Sequence, residues 1–270
     1  MDLVSSKVGI FGLPFSFSQA QVILIPVPWD VTTSYGKGTS QGPQAIRKAS
    51  EQVDLYDFET GNIFEAGIHM LPLPLHLRGL NRSHRAKAEK VMKLLARGKI
   101  SPSEEKSLKK WQKEVNQASR KMNSWVETQT RKVLRDGKIP GLVGGDHSSP
   151  FGCIKAVLAE HPDAAILHVD AHADLRVAYQ GFEFSHASIM WNVVTKLGVK
   201  TLVQVGIRDF CHEEMIFAQE NSIKSFYDFQ NKKRLLSGES WKDIVSEIVE
   251  HLPNKIYVSF DIDGLDPALC

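Results

Sequence analysis

Short apolar runs bounded by turn residues recur along this chain, at residues 22–26 (VILIP), 141–143 (GLV), 165–169 (AILHV), 201–205 (TLVQV) and 255–260 (KIYVSF). Each is about strand length and apolar on both faces, as a strand buried within a parallel sheet must be. Between them, residues 151–160, 188–197 and 241–251 place apolar side chains at helical spacing and suit crossover helices. Strand–helix alternation of this kind predicts an α/β fold, a mainly parallel sheet covered on both sides. Ligand sites in such sheets gather at the carboxyl ends of the strands. Three of the runs lead directly into clusters of Asp and His.

One segment breaks the alternation. Ser101-Pro102-Ser103-Glu104 reads as a helix start, with Ser101 as N-cap, Pro102 at the first position and Glu104 closing a capping box. Leu108, Trp111, Val115, Ala118, Met122 and Trp125 follow at steps of three and four, one apolar stripe on a long helix. Charge is concentrated here: residues 85–136 hold 15 Lys and Arg against 6 Asp and Glu, whereas the rest of the chain holds 18 against 25. A core-facing or subunit-facing helix with a solvated basic back is the ordinary reading, and an anionic-partner surface is the other.

Composition narrows the class. A chain of 270 residues that is 42% hydrophobic buries a large core, as one α/β domain or two small ones, and a net charge of +2 marks neither a nucleic-acid binder nor an acidic tail. Cys153, Cys211 and Cys270 lie far apart without CxxC spacing, which fits a reducing cytoplasm better than a disulfide framework or a zinc knot. The opening MDLVSSKVGIFGLPFSF lacks the layout of a signal peptide. No stretch reaches the ~18 apolar residues of a membrane span, so no membrane and no nucleic acid are expected as partners.

Candidate chemistry sits at the strand ends. In His168-Val169-Asp170-Ala171-His172-Ala173-Asp174, the residues Asp170, His172 and Asp174 alternate, so continued extended geometry would converge their side chains. Burying two unpaired carboxylates beside one imidazole is costly, and a metal ion removes the cost. His168, deeper in the strand, reads as a satisfied core or supporting histidine. Asp261 and Asp263 alternate in Ser259-Phe260-Asp261-Ile262-Asp263-Gly264-Leu265-Asp266-Pro267, and without a cation they would raise one another's pKa. Asp266, before Pro267, reads as a turn residue. In Gly144-Gly145-Asp146-His147-Ser148 the glycines permit a sharp turn, His147 is a further ligand candidate and Asp146 would orient or neutralise nearby groups. The set His147, Asp170, His172, Asp174, Asp261 and Asp263 is oxygen-rich and contains no thiolate, which favours Mn²⁺ over structural Zn²⁺. Four carboxylates exceed the charge of one divalent ion, so two ions about 3.5–4 Å apart are expected.

GGDHS, HVDAHADLR and SFDIDGLDP, in this order, resemble the motifs of the arginase/agmatinase/formiminoglutamase (ureohydrolase) superfamily. Pro28-Trp29-Asp30 through Thr33, Gly38 and Gly42-Pro43-Gln44-Ala45-Ile46-Arg47 look like its N-terminal glycine loop, and Gly206-Ile207-Arg208 like a later strand-end signature. The resemblance implies one domain over residues 1–270 with a three-layer α/β/α fold, and residues 84–136 or thereabouts as a basic helical insertion. It implies two Mn²⁺ per subunit bridged by Asp170 and Asp261, a small guanidino-containing substrate, and a homo-oligomer, trimer or hexamer. His186, in the loop Tyr179-Gln180-Gly181-Phe182-Glu183-Phe184-Ser185-His186-Ala187, matches the family's proton-shuttling histidine and joins Asp174 as a catalytic candidate.

The same resemblance bears on substrate. Where arginases hold the substrate α-carboxylate with Asn this chain has Arg176, and where they hold the α-amino group with Asp it has Cys211. The run from Asp174 to Ser188 is more similar to agmatinases, so cleavage of an agmatine-like guanidino group to release urea is expected. Arginase activity, hydrolysis of another guanidino acid or of guanidine, a non-catalytic ureohydrolase-like subunit and a metal-dependent deacetylase are the alternatives. The sequence stops at Cys270, soon after the Asp261–Asp263 pair, so the domain reads as C-terminally incomplete relative to the family. Weak metal binding and little turnover by residues 1–270 are the corresponding expectation.

Overall fold

A computed structural model describes residues 9–266 and residue 268; residues 1–8, Pro267, Leu269 and Cys270 lie outside the described residues. The chain divides into two units, residues 1–153 and 154–270.

In the first unit, β1 (Val22–Pro26) lies between β2 (Ile68–Met70) and β3 (Ile139–Val143) in a parallel sheet. Register pairs Val22 with both Ile68 and Ile139. Ile23 and Ile25 are fully buried, as the two-sided apolar run requires. α1 (Gly42–Ala49) follows the β1 loop, and α2 (Leu75–Ala96) packs against α3 (Pro102–Arg135) as a helical hairpin. α3 starts where the sequence places it: Ser101 Oγ accepts the Glu104 amide at 3.3 Å and Glu104 Oε2 accepts the Ser101 amide at 2.9 Å. Its 34 residues run for about 50 Å at 1.5 Å per residue. Leu108, Val115, Ala118 and Met122 are buried and Trp111 and Trp125 half-buried, so the stripe is core-facing. Part of the basic surplus is spent inside the hairpin, where Lys87 Nζ meets Glu114 Oε2 at 2.7 Å and Lys90 lies over the Trp111 ring.

The second unit begins within α4 (Phe151–Glu160) and holds a four-stranded parallel sheet. Its order is β6 (Lys224–Tyr227), β5 (Leu202–Ile207), β4 (Ala165–Val169), β7 (Ile256–Phe260). α5 (Ile189–Leu197), α6 (His212–Glu220), α7 (Asp228–Leu236) and α8 (Trp241–Glu250) connect the strands. Val203, Phe226, Ile244 and Ile248 form a core with Leu167, Val205 and Leu252 packed against it. All strand pairings are parallel among the described residues, as the alternating pattern predicts.

Two strands escape the apolar pattern for physical reasons. β2 is only Ile-His-Met, too short to register as a run, and β6 is an edge strand with Phe226 alone buried. Among the described residues, no helix is long and apolar enough to cross a membrane.

Met122 is fully buried on α3, so Met122→Ala is expected to cost about 2–5 kcal/mol. Lys109 is 70% exposed, and Lys109→Ala is expected to stay within about 0.5 kcal/mol. Urea unfolding midpoints of the two variants check this contrast.

Candidate metal centre

Three strand ends of the second unit are tied together by backbone hydrogen bonds. The Asp170 amide donates to Val205 O at 3.1 Å, and the Asp261 amide donates to Val169 O at 2.9 Å. β4 stops at Val169, so the residues after it sit at the carboxyl edge where the sequence places the chemistry. Beyond that point the geometry is a turn, not continued strand. Asp174 has φ of 54°, and Asp263 lies in the short 3-10 turn Ile262–Gly264. The side chains therefore meet through folding of the turns, not through the alternation expected of an extended strand.

Asp170, 1% exposed, is the centre of the arrangement. Its Oδ2 lies 2.8 Å from His168 Nε2, and its Oδ1 accepts the His172 amide at 2.7 Å. Ser225 Oγ donates to Gln204 Oε1 at 2.9 Å, which fixes the amide so that Gln204 Nε2 donates to Ala173 O (2.8 Å) and His168 Nδ1 (3.0 Å). His168 Nδ1 must then be the acceptor and His168 Nε2 the protonated nitrogen that donates to Asp170. That makes His168 the supporting histidine the sequence suggests. Donor atoms of His168, Asp170 and Asp174 all lie within 4.8 Å of one another. His168 contributes there as a hydrogen-bond donor, because its Nε2 lone pair is occupied by the proton.

A second group shares Asp170. Asp170, His172 and Asp263 also place one donor atom each within 4.8 Å of one another. His172 Nδ1 is 3.2 Å from Asp263 Oδ2 and 3.4 Å from Asp170 Oδ1, and its Nε2 is 3.7 Å from Asp209 Oδ2. Hydrogen bonds to Asp170 and then Asp263 push the His172 pKa up to about 11, with Asp174 adding to the effect. So many carboxylates around one imidazole create a demand for positive charge, and a divalent ion meets that demand with the imidazole neutral. The donor set therefore fits a hard cation held by carboxylate oxygen and imidazole nitrogen. Asp261 is half-buried, and its Oδ1 accepts the Asp263 amide at 3.3 Å. Asp266 Oδ1 accepts the Ala268 amide at 2.9 Å, the turn read from the sequence.

Arg208 and Glu214 hold these segments in place. The Arg208 guanidinium donates to the carbonyls of Asp263, Gly264 (3.4 Å) and Leu265 (3.1 Å), and so cradles the turn that carries Asp263. Gly206 precedes it with φ of 91°, a conformation that suits glycine. Glu214, 3% exposed on α6, accepts the amides of Leu175 (3.0 Å) and Cys211 (2.9 Å), and its Oε2 lies 3.4 Å from Arg176 Nε. Sequence reasoning missed Glu214, although Cys211-His212-Glu213-Glu214 has capping-box spacing with Cys in the Ser position. The loop from Arg176 to Ser188 closes on itself through Arg176 N to Ala187 O (3.0 Å) and Tyr179 N to Ser188 Oγ (3.2 Å). His186 is half-buried on that loop, edge-on to Tyr179, with Nδ1 3.4 Å from Ser185 Oγ.

The first unit presents His147 and Asp146 in the turn after β3. Gly145 is required there, since a Cβ at that position would lie 1.9 Å from the Trp29 carbonyl oxygen. His147 is 8% exposed. Asp146 Oδ1 accepts the Ser148 amide at 3.0 Å and the Ser148 hydroxyl at 2.5 Å. Burial pushes the Asp146 pKa up to about 6 against those hydrogen bonds, with Asp30 adding to the rise. Burial also pushes Asp30 upward, but Asn81 and the amides of Gly38 and Ser40 outweigh it and hold that carboxyl below its usual range. Asn81 and Arg85, four apart on α2, were not visible as site residues in the sequence. Asn81 exchanges two 2.8 Å hydrogen bonds with Asp30, and Arg85 Nη1 donates to the carbonyls of Asp30, Val31 and Thr33.

Gln204→Leu removes the donor that sets the His168 tautomer and leaves Ser225 Oγ and Ala173 O without their partner. A destabilisation of about 1–3 kcal/mol is expected. Nitrogen NMR of His168 is expected to show Nε2–H in the parent protein, and an Nδ1–H tautomer there would contradict the assignment.

Comparison with known proteins places the chain among relatives. Residues 20–270 match the Arginase family. An N(1)-aminopropylagmatine ureohydrolase of Thermus thermophilus is 30% identical over 255 residues, covering 94% of this chain and 71% of the relative. An agmatinase of Bacillus subtilis is 29% identical, covering 99% and 76%. Among solved structures, the agmatine ureohydrolase of Thermoplasma volcanium superposes with a TM-score of 0.71 at 24% identity, covering 98% of this chain and 74% of that one. With a family match over nearly its whole length and carboxylate–imidazole groups at the strand ends, this chain belongs to the arginase (ureohydrolase) family.

Proposed function

We propose that this protein hydrolyses the guanidino C–N bond of an agmatine-like amine, releasing urea and the parent amine, as a homo-oligomer of the kind the family resemblance implies. The observation that carries the reading is one buried carboxylate, Asp170, at the end of β4, grouped with Asp174 on the one hand and with His172 and Asp263 on the other. His147, Asp170, His172, Asp174, Asp261 and Asp263 would hold two Mn²⁺ ions. When bound, such ions supply Lewis acidity for attack of water on a resonance-stabilised guanidinium carbon. His168 keeps Asp170 oriented and charged, and Arg208 keeps Asp263 in place through the backbone of its turn. His186 delivers a proton to the departing amine nitrogen as the C–N bond breaks, which avoids expelling an amide anion.

Substrate choice rests on Arg176 and Cys211. Arg176 is engaged by Glu214 and lies over the Tyr179 ring at 5.0 Å, while the Cys211 amide is bound to Glu214. Neither position carries the Asn and Asp with which, by the family resemblance, arginases hold the α-carboxylate and the α-amino group. A substrate without those groups loses nothing at this site. The relatives named as agmatinase and aminopropylagmatine ureohydrolase support the same choice.

Urea release from agmatine is expected to exceed that from arginine by at least about tenfold in kcat/KM, a difference of ~1.4 kcal/mol in transition-state binding. Equal rates, or a preference for arginine, would overturn the substrate assignment. Asp263→Asn is expected to lower the manganese retained after loading and desalting. Elemental analysis showing unchanged two-ion content in that variant would refute the ligand assignment.

A further inference from the structure

The first unit contains a cleft that the proposed hydrolase site does not use. It has a volume of about 420 Å³ and opens beside the carboxyl ends of β1 and β2, with Pro26, Met70 and Leu73 among its apolar lining. Arg47, Lys48 and Arg78 also line it, opposed by a single carboxylate, Glu51. Arg47 and Lys48 belong to the last turn of α1, and Arg78 to the first turn of α2, so two separate helices bring the cations together. Among the described residues, none of the three cations has a salt-bridge partner. Elsewhere arginines do find carboxylates: Arg85 is bonded to Glu89, Arg97 to Glu104 and Arg234 to Glu239 and Glu247.

We infer that this cleft binds a small organic anion, an oxyanion head of phosphate or carboxylate type carried on an apolar body. Unpaired like charges around a concave surface repel, and an oxyanion relieves that repulsion while accepting the paired N–H donors of a guanidinium fork. The apolar lining takes the body of the ligand out of water. A few hundred Å³ is the usual size of a small-molecule site. Arg47, Lys48 and Arg78 are exposed, so screening limits the affinity, and a dissociation constant on the order of 0.1 mM is expected at low salt. The inference uses none of the hydrolase-site residues and stands apart from the substrate reading.

Titration calorimetry on the whole chain with phenyl phosphate, benzoate and inorganic phosphate tests it. Phenyl phosphate or benzoate is expected to bind saturably at one site per chain, and their ranking identifies the head group. Inorganic phosphate is expected to bind more weakly than phenyl phosphate, because it cannot use the apolar lining. Arg47→Gln combined with Arg78→Gln is expected to weaken binding by at least about tenfold. Glu51→Gln, which removes the opposing charge, is expected to tighten it about twofold or more. The inference is overturned if neither organic anion binds up to about 10 mM, or if the double variant binds as tightly as the parent. It is also overturned if Glu51→Gln fails to tighten binding, or if inorganic phosphate matches phenyl phosphate.

Discussion

Asp170 is a carboxylate almost wholly withdrawn from water at the end of a central strand. An isolated buried charge of that kind costs several kcal/mol, and proteins keep one only by surrounding it with donors or cations. The second unit does both. His168, Gln204 and Ser225 form a chain of hydrogen bonds that ends on one carboxylate oxygen, and the His172 amide and imidazole address the other. Those groups come from β4, β5, β6 and the turn after β4, so the position of one side chain fixes the mutual register of three adjacent strands. The turn bearing Asp263 is held against the same point through Arg208.

The first unit repeats the principle with different means. Asp30 is buried after β1 and is kept ionised by neutral donors, the Asn81 amide and the backbone amides of Gly38 and Ser40. Arg85 spends its charge on carbonyl oxygens of the same loop. α2 is therefore more than a basic surface helix, because its Asn81 and Arg85 determine the path of the chain leading away from β1. The hairpin partner α3 supplies the apolar support, with Met122, Val126 and Val133 buried along it.

Strands with two apolar faces, such as β1 and β4, were legible because burial on both sides forces an unbroken run. Edge and three-residue strands were not, since β6 buries only Phe226 and β2 is paired through too few residues to leave a pattern. The residues of the candidate site were legible as types, acids and histidines that no core would tolerate unpaired, and Asp170, His172 and Asp263 do meet. Their route to one another was not legible. Alternation presumed a strand, whereas a left-handed Asp174 and a 3-10 turn at Asp263 do the work. Asn81, Arg85 and Glu214 stayed hidden because a polar residue on a helix carries no local mark of the distant backbone it will satisfy.

Glu214 has a consequence for how this scaffold can change over generations. Its carboxylate is shared among Arg176, the Leu175 amide and the Cys211 amide. Losing Arg176 still leaves Glu214 two donors, so variation at that position is affordable. Losing Glu214 strands the buried Leu175 amide and the part-buried Cys211 amide at once and releases the segment that follows Asp174. Sequence change is therefore tolerated more readily at Arg176, while Glu214 acts as the fixed pivot on which the segment after Asp174 is assembled.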